Sequence, residues 1–247
     1  MLKSMICAAA MLLSAAPLAL ADTPLGITGA ELRLGASSDA VEGGFAAGTV
    51  DVAITPFHGA QFDLQYEERQ NGGIGRLGTT LYMMPRAGQK YGLFLMVADK
   101  NDASATYGQI GATGMFQIAP RLALEMRGGI GVFADHDLDW VTAGAGLHWQ
   151  ASPATRFYGQ YDIASFDEAA FAATGHEVTL GIETRLGDSP ASLFAEVSRD
   201  WRSGRHAASG DTVLRAGVSI ALGRKGNDLP RFHLGDPMGP LLRRGVF

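Results

Sequence analysis

The sequence is poor in the residues on which thiol and much metal chemistry rests. Its single cysteine, Cys7, lies in an N-terminal apolar stretch, so the chain beyond it has no disulfide framework, no thiolate metal site and no cysteine nucleophile. Lysine occurs only at Lys3, Lys90, Lys100 and Lys225, and 20 basic side chains stand against 25 acidic ones, a formal net charge of −5. A mildly acidic, lysine-poor chain lacks the basic footprint of a nucleic-acid binder. Beyond the N-terminal stretch no apolar run is long enough to cross a bilayer as a helix. Proline is confined mainly to a few apparent turns, whereas glycine is abundant at 33 residues.

What is present at the N-terminus is the layout of a secretory signal. Lys3 gives a positive start, residues 5–20 are apolar, and Ala19-Leu20-Ala21 is a small-x-small cleavage site before Asp22. The stretch is too short and wrongly flanked for a stable membrane helix. The expected organisation is a signal peptide over residues 1–21, cleaved after Ala21, one β-domain over 22–223, and a C-terminal tail over 224–247 placed on the periplasmic side.

From Gly26 to Gly223 apolar residues recur with period 2. In Arg121–Arg127, Leu122, Leu124 and Met126 share one face, opposite Arg121, Glu125 and Arg127. In His176–Arg185, Val178, Leu180 and Ile182 lie opposite Glu177, Glu183 and Arg185. A helix would mix these sets around its circumference; a strand separates them. The spacing predicts strands over 27–34, 45–54, 58–67, 74–84, 90–97, 105–118, 121–133, 138–150, 155–166, 176–186, 191–201 and 212–222. That makes a closed antiparallel all-β barrel of about twelve strands, with ten or fourteen within the error of boundary placement.

The gaps alternate in character. One set is short and mostly carries proline, at Pro56, Pro85–Gly88, Ala119-Pro120, Ser152-Pro153 and Gly187–Pro190. The other is usually longer and polar: Gly35–Gly44, Glu68–Gly73, Ala98–Ser104, Ala134–Asp137, Asp167–Gly175 and Arg202–Gly210. Short turns at one end and longer loops at the other fit a transmembrane barrel with both chain ends periplasmic. The period alone does not say which face meets lipid. Three features assign the apolar face to the outside. A barrel of about twelve strands is too wide for wall side chains to fill. The polar face is not a lysine-rich soluble surface. Tyr66, Tyr91, Phe116, Trp149, Phe157 and Trp201 place aromatic rings near strand ends on the apolar face, where a membrane interface would lie.

The final strand carries the most specific motif. In Arg215-Ala216-Gly217-Val218-Ser219-Ile220-Ala221-Leu222, the residues Arg215, Gly217, Ile220 and Leu222 resemble the β-signal read by the bacterial outer-membrane assembly machinery. With the signal peptide and loop asymmetry, the chain resembles the porin-like class of Gram-negative outer-membrane proteins over about residues 22–223. It departs from the usual pattern in continuing past Leu222, and Leu241–Phe247 does not alternate like a thirteenth strand. The resemblance implies outer-membrane lipid, lipopolysaccharide and the barrel-assembly machinery as partners.

Strand parity directs a charged set inward: Glu31, Arg33, Asp51, Asp63, Glu67, Arg76, Lys90, Arg121, Glu125, Arg127, Arg156, Asp162, Glu177, Glu183, Arg185, Glu196, Asp200 and Arg215. The functional expectation is passive diffusion of small hydrophilic solutes past these fixed charges, with no cofactor and no covalent chemistry. A non-conducting structural or surface-interaction barrel is the alternative. An outer-membrane lipid-modifying enzyme or protease comes third, because His148 has no serine two residues on, and His58, His176 and His206 read as interface or loop residues. Asp135-His136-Asp137-Leu138-Asp139 reads as a solvated loop, with a surface cation site as the sharper alternative. Arg199 and the loop Arg202–Arg205 suit contacts to lipid phosphates. The tail, with Arg224, Lys225, Arg231, Arg243 and Arg244 against Asp228 and Asp236, cannot form a core alone. It is expected below the barrel, either as a free arm or docking at and partly entering the lumen.

Overall fold

Strict alternation has one structural outcome when the strands are many and no edge is left polar: the sheet closes on itself. The computed structural model describes residues 26–39, 43–70, 72–101, 105–133, 136–169, 171–223 and 229–243, so the signal segment lies outside the described residues. Twelve strands follow one another: β1 (Gly26–Ser37), β2 (Gly44–Ala53), β3 (His58–Glu67), β4 (Ile74–Arg86), β5 (Gln89–Lys100), β6 (Thr106–Ala119), β7 (Leu122–Phe133), β8 (Leu138–Gln150), β9 (Thr155–Asp167), β10 (Ala172–Arg185), β11 (Ala191–Ser203) and β12 (Ala208–Leu222). Each pairs antiparallel with the next, and β1 pairs with β12 to close the barrel. The wall thus pairs strand to strand around a closed ring and leaves no free edge strand, as hydrocarbon demands.

The closing seam is tight. Gly35 stands opposite Gly217, and a Cβ on Gly217 would come within 2.1 Å of the Leu34 carbonyl oxygen. Gly217 is therefore required by backbone approach, whatever else the surrounding motif does.

The strands reach further than the period predicts at the end where the longer gaps lie. β1 runs to Ser37, β10 begins at Ala172 and β12 at Ala208. The connections there shrink to 38–43, 68–73, 101–105, 134–137, 168–171 and 204–207, against 54–57, 87–88, 120–121, 151–154 and 186–190 at the other end. Backbone pairing overrides local turn composition, because each added pair satisfies a donor and an acceptor.

The distribution of burial is that of a globular protein turned inside out. Leu93 is 70% exposed and Val141 62%, with Leu64, Leu77, Leu81, Leu95, Ile110, Ile130, Leu180 and Leu214 also on the open surface, whereas Glu125 and Asp200 are fully buried. Trp149 stacks on Phe157, and Tyr91 meets Phe116 edge to face, on that same outer surface. An apolar belt around a closed sheet is a surface that faces lipid. A charge placed in the middle of this belt carries a definite penalty. Leu95→Arg on β5 is expected to lower folding stability in bilayers by about 2–4 kcal/mol. Denaturant titration of the vesicle-inserted protein measures the effect, and a loss under half a kcal/mol would place Leu95 outside the hydrocarbon.

After β12 the chain turns at Gly223, whose φ of 79° suits glycine, and a Cβ there would press within 2.7 Å of the Thr28 carbonyl. Residues 229–243 then run inside the barrel and end in a single helical turn, α1 (Gly239–Leu242). Of the two alternatives for the tail, the free arm below the barrel is corrected: from Leu229 to Arg243 the segment enters the lumen and runs along it. Its physical reason lies in the wall itself, which presents matched charges and an apolar patch on its inward face.

Candidate functional site: the lumen and the segment inside it

A wall of twelve strands encloses more space than its own side chains fill, and the tail takes up that space in tiers. At the short-turn end, Phe232 packs with Tyr82, Met115 and Ala123, and Leu229 joins the cluster. The Phe232 ring meets Tyr82 edge to face, and the Lys90 ammonium lies 4.0 Å from the Tyr82 centroid and 4.3 Å from that of Phe232. Gln61, fully buried on β3, bonds the tail backbone twice. Its amide nitrogen donates to the Phe232 carbonyl at 2.8 Å and its amide oxygen accepts from the Phe232 N–H at 3.0 Å. The His233 N–H donates to Glu125 at 2.9 Å. This is recognition of an extended peptide by wall side chains rather than by a further strand.

The charges of the tail alternate, and the wall answers each in turn. Arg231 donates to Glu31 at 2.5 Å and to Asp51 at 2.7 Å. Asp236 accepts from Arg69 at 2.5 Å and pairs with Arg76 at 3.1 Å. Arg243 donates to Asp39 and Glu177, each at 3.0 Å, and to Asp200. The tail's plus, minus, plus thus meets acidic, basic and acidic tiers. Arg69 sits in the loop after β3. Burial works against its charge, yet Asp236 and Glu67 outweigh burial and raise its pKa above the ordinary arginine value.

At the long-loop end the inward face is apolar instead of charged. Ile74, Met96, Ala98, Tyr107, Phe133, Leu138, Trp140 and Phe166 form one buried cluster, and Met238, Leu241 and Leu242 from the tail complete it. Each of those three tail residues has 1% of its surface exposed or less, and burying such a side chain contributes about 1.5–3 kcal/mol. The apolar turn therefore fills the bore at this end. Beside the tail a cavity of about 170 Å³ remains, lined among others by Glu31, Arg33, Arg156, Tyr158, Glu196 and Arg215.

The inward charged set is accommodated as follows. Arg33 pairs with Glu196 at 2.9 Å, Arg156 with Glu183 at 2.6 Å, and Arg215 with Glu67 at 2.5 Å. Arg127 pairs with Asp162 and with Glu125. Asp63 accepts from Gln61 and Thr49. Glu31, Asp51, Arg76, Glu177 and Asp200 hold the tail and Lys90 caps the Phe232 cluster. Two of the set are corrected. Arg121 belongs to the turn before β7, is exposed, and donates to the Ala151 carbonyl at 3.4 Å. Arg185 is the exposed last residue of β10 and donates to the Pro153 carbonyl. At a strand's last residue parity no longer guarantees the lumen, since the rim offers solvent and turn carbonyls.

The motif on β12 is split between faces. Arg215 points inward, Gly217 lies at the seam, and Ile220 and Leu222 pair with Leu32 and Ala30 of β1. In the loop after β7, Ala134 and Asp135 lie outside the described residues. His136 meets the Phe133 ring, and among the described residues no cluster of His, Cys, Asp or Glu could hold a metal. Inward aromatics such as Tyr107 and Trp140 were not distinguished by the sequence pattern. Their signal was present, as large apolar side chains on the parity otherwise given to charges.

No protein-family model matches this sequence, and no curated protein matches it. Among solved structures the barrel is similar to the NanC porin, with TM-score 0.57 and 10% identity over 77% of this chain and 98% of the other. It is similar to the KdgM porin, with TM-score 0.52 and 10% identity over 78% and 98%. A third likeness is to an outer membrane channel from Pseudomonas putida F1, with TM-score 0.53 and 13% identity over 84% and 99%. The fold is thus that of porin-like outer-membrane barrels.

Proposed function

We propose that the protein is an outer-membrane channel for small hydrophilic solutes whose lumen is held shut by its own C-terminal segment. The observation that carries this reading is the three-tier charge match between residues 229–243 and the wall. Such a match is reversible in water: every group in it has a hydrated alternative once the segment leaves. On this reading the short-turn end faces the periplasm, the stoppered mouth faces outward, and transport is passive, without cofactor or covalent step. The fixed wall charges then select among solutes by size and sign. A permanently closed structural barrel is the second reading, favoured by the complete burial of Met238 and Leu241.

A reversible lock separates the two. A Cβ on Gly175 would lie 3.4 Å from the Pro240 Cβ, close to the separation a disulfide needs. The double variant Gly175→Cys/Pro240→Cys is expected to be silent in planar bilayers when oxidised and to give discrete openings after reduction. Silence in both states favours the structural barrel, and equal current in both would show that the segment is not the gate.

A further inference from the structure

The outward face carries a serine and a histidine in bonding contact at the long-loop end, and neither takes part in the lumen. His176 on β10 and Ser203 at the end of β11 lie on adjacent strands; Nε2 and Oγ are 2.8 Å apart. The other ring nitrogen, Nδ1, lies 2.9 Å from the Tyr161 hydroxyl on β9. Outward orientation follows from the neighbours: a Cβ on Gly175 would meet Pro240 of the lumen segment, and Asp200 reaches Arg243 inside, so His176, Trp201 and Ser203 take the opposite parity. Trp201 stacks flat on the imidazole, with centroids 4.9 Å apart and planes 8° apart. The ring is thus fixed from its face by Trp201 and from its edge by Tyr161. Both His176 and Ser203 remain partly exposed.

The geometry points to a lipid-ester hydrolase site on the outside of the barrel, with Ser203 as nucleophile, His176 as general base and Tyr161 as the residue that positions the base. The arrangement has the required order: nucleophile, base, and a third group orienting the base from its far nitrogen. Nδ1–H donates to the Tyr161 oxygen, which leaves Nε2 free to accept the Ser203 proton. Ser203 Oγ then attacks the carbonyl carbon of a carboxylic ester as its proton passes to Nε2. The ester's alcohol leaves with that proton, and the acyl group stays on Oγ. Water, deprotonated by His176, releases the fatty acid and restores the serine. No metal and no redox partner enters.

Location selects the substrate class. Ser203 ends β11 beside the connection 204–207, His176 stands near the start of β10 and Tyr161 at the middle of β9. The Ser203–His176 pair thus sits toward the rim of the apolar belt, where the ester linkages of a lipid leaflet meet water. Thr174, directly across from Ser203 in the β10–β11 register, adds a second hydroxyl on the same face. Acyl esters of a membrane lipid meet these requirements, and both phospholipids and lipopolysaccharide supply them.

The experiment uses the full chain folded into vesicles, one set of phosphatidylethanolamine and one containing lipopolysaccharide, with released fatty acid read by mass spectrometry. Release from at least one set is expected, and which set identifies the source. Ser203→Ala and His176→Asn should each reduce the rate about 10³-fold or more. Tyr161→Phe should lower kcat roughly tenfold and leave KM unmoved, as loss of base orientation without loss of binding does. Heat-modifiable migration on gels verifies that each variant is a closed barrel. A fluorophosphonate probe on the unaltered chain gives a readout that needs no variant, with the adduct expected on Ser203 by peptide mapping. Absence of both adduct and fatty acid with either lipid, or release that survives Ser203→Ala, overturns the assignment.

Discussion

Deleting residues 224–247 is expected to turn a protein with rare, brief openings into one that gives sustained, salt-dependent current steps in planar bilayers. The wall does not need the segment to stand. Among the described residues no backbone-to-backbone hydrogen bond joins residues 229–243 to a strand, so removal leaves all twelve strand pairings in place. What it takes away is the apolar turn in the mouth and the counter-charges of three tiers. Glu31 with Asp51, Arg69 with Arg76, and Asp39 with Glu177 and Asp200 are left facing open space, and charged groups so placed draw in water. A wall of this strand number cannot fill its own bore. Ions should therefore pass once the segment is gone, with selectivity set by the lumen charges. Silence of a correctly folded truncated barrel would remove the channel reading altogether.

The second large effect is expected from a single side chain. Arg243→Ala should raise the open fraction of the full-length protein about 10²–10³-fold, since breaking a buried ion pair by removing one partner costs about 3–5 kcal/mol and each 1.4 kcal/mol is tenfold. Arg243 is buried and donates to Asp39, Glu177 and Asp200. Arg69, 3.4 Å from Asp39, is already engaged with Glu67 and Asp236, and Arg215 is paired with Glu67. Without Arg243, Asp39, Glu177 and Asp200 lose the cation they share, and rehydrating them by expelling the segment offsets that loss. Single-channel recording of open probability measures this. The same substitution in the oxidised Gly175→Cys/Pro240→Cys background should stay shut, because the covalent tie replaces the ionic one. Equal open probability in wild type and Arg243→Ala would show that this tier does not hold the plug.

The barrel was legible because its code is local and repeated. Segments such as Arg121–Arg127 declare two faces within seven residues, and backbone closure then leaves few alternatives. The tail was legible as a candidate occupant of the lumen, but its partners there were not, since the complementarity is scattered. Glu31, Asp51, Arg69, Asp200 and their peers come from many strands, and Phe232, Leu234, Met238, Leu241 and Leu242 follow neither a period of 2 nor one of 3.6. One clue lay in the wall, where Ile74, Met96, Phe133, Leu138, Trp140 and Phe166 occupy the inward parity at one end. An apolar patch inside a wet bore calls for a cover. The Ser203–His176 contact was hidden for a simpler reason. A search along one strand looks two residues on, whereas these partners are brought together only by the β10–β11 register.

The turn at Gly223 has a mechanical consequence. The stopper and the wall are one polypeptide, with only residues 224–228 between the last barrel position and Leu229. A plug that leaves is leashed at its base and cannot diffuse away. A short tether of this kind holds its end at an effective concentration in the millimolar range, so re-entry is first-order and independent of how much protein the membrane holds. Open intervals should then have a duration characteristic of the molecule, unchanged on dilution.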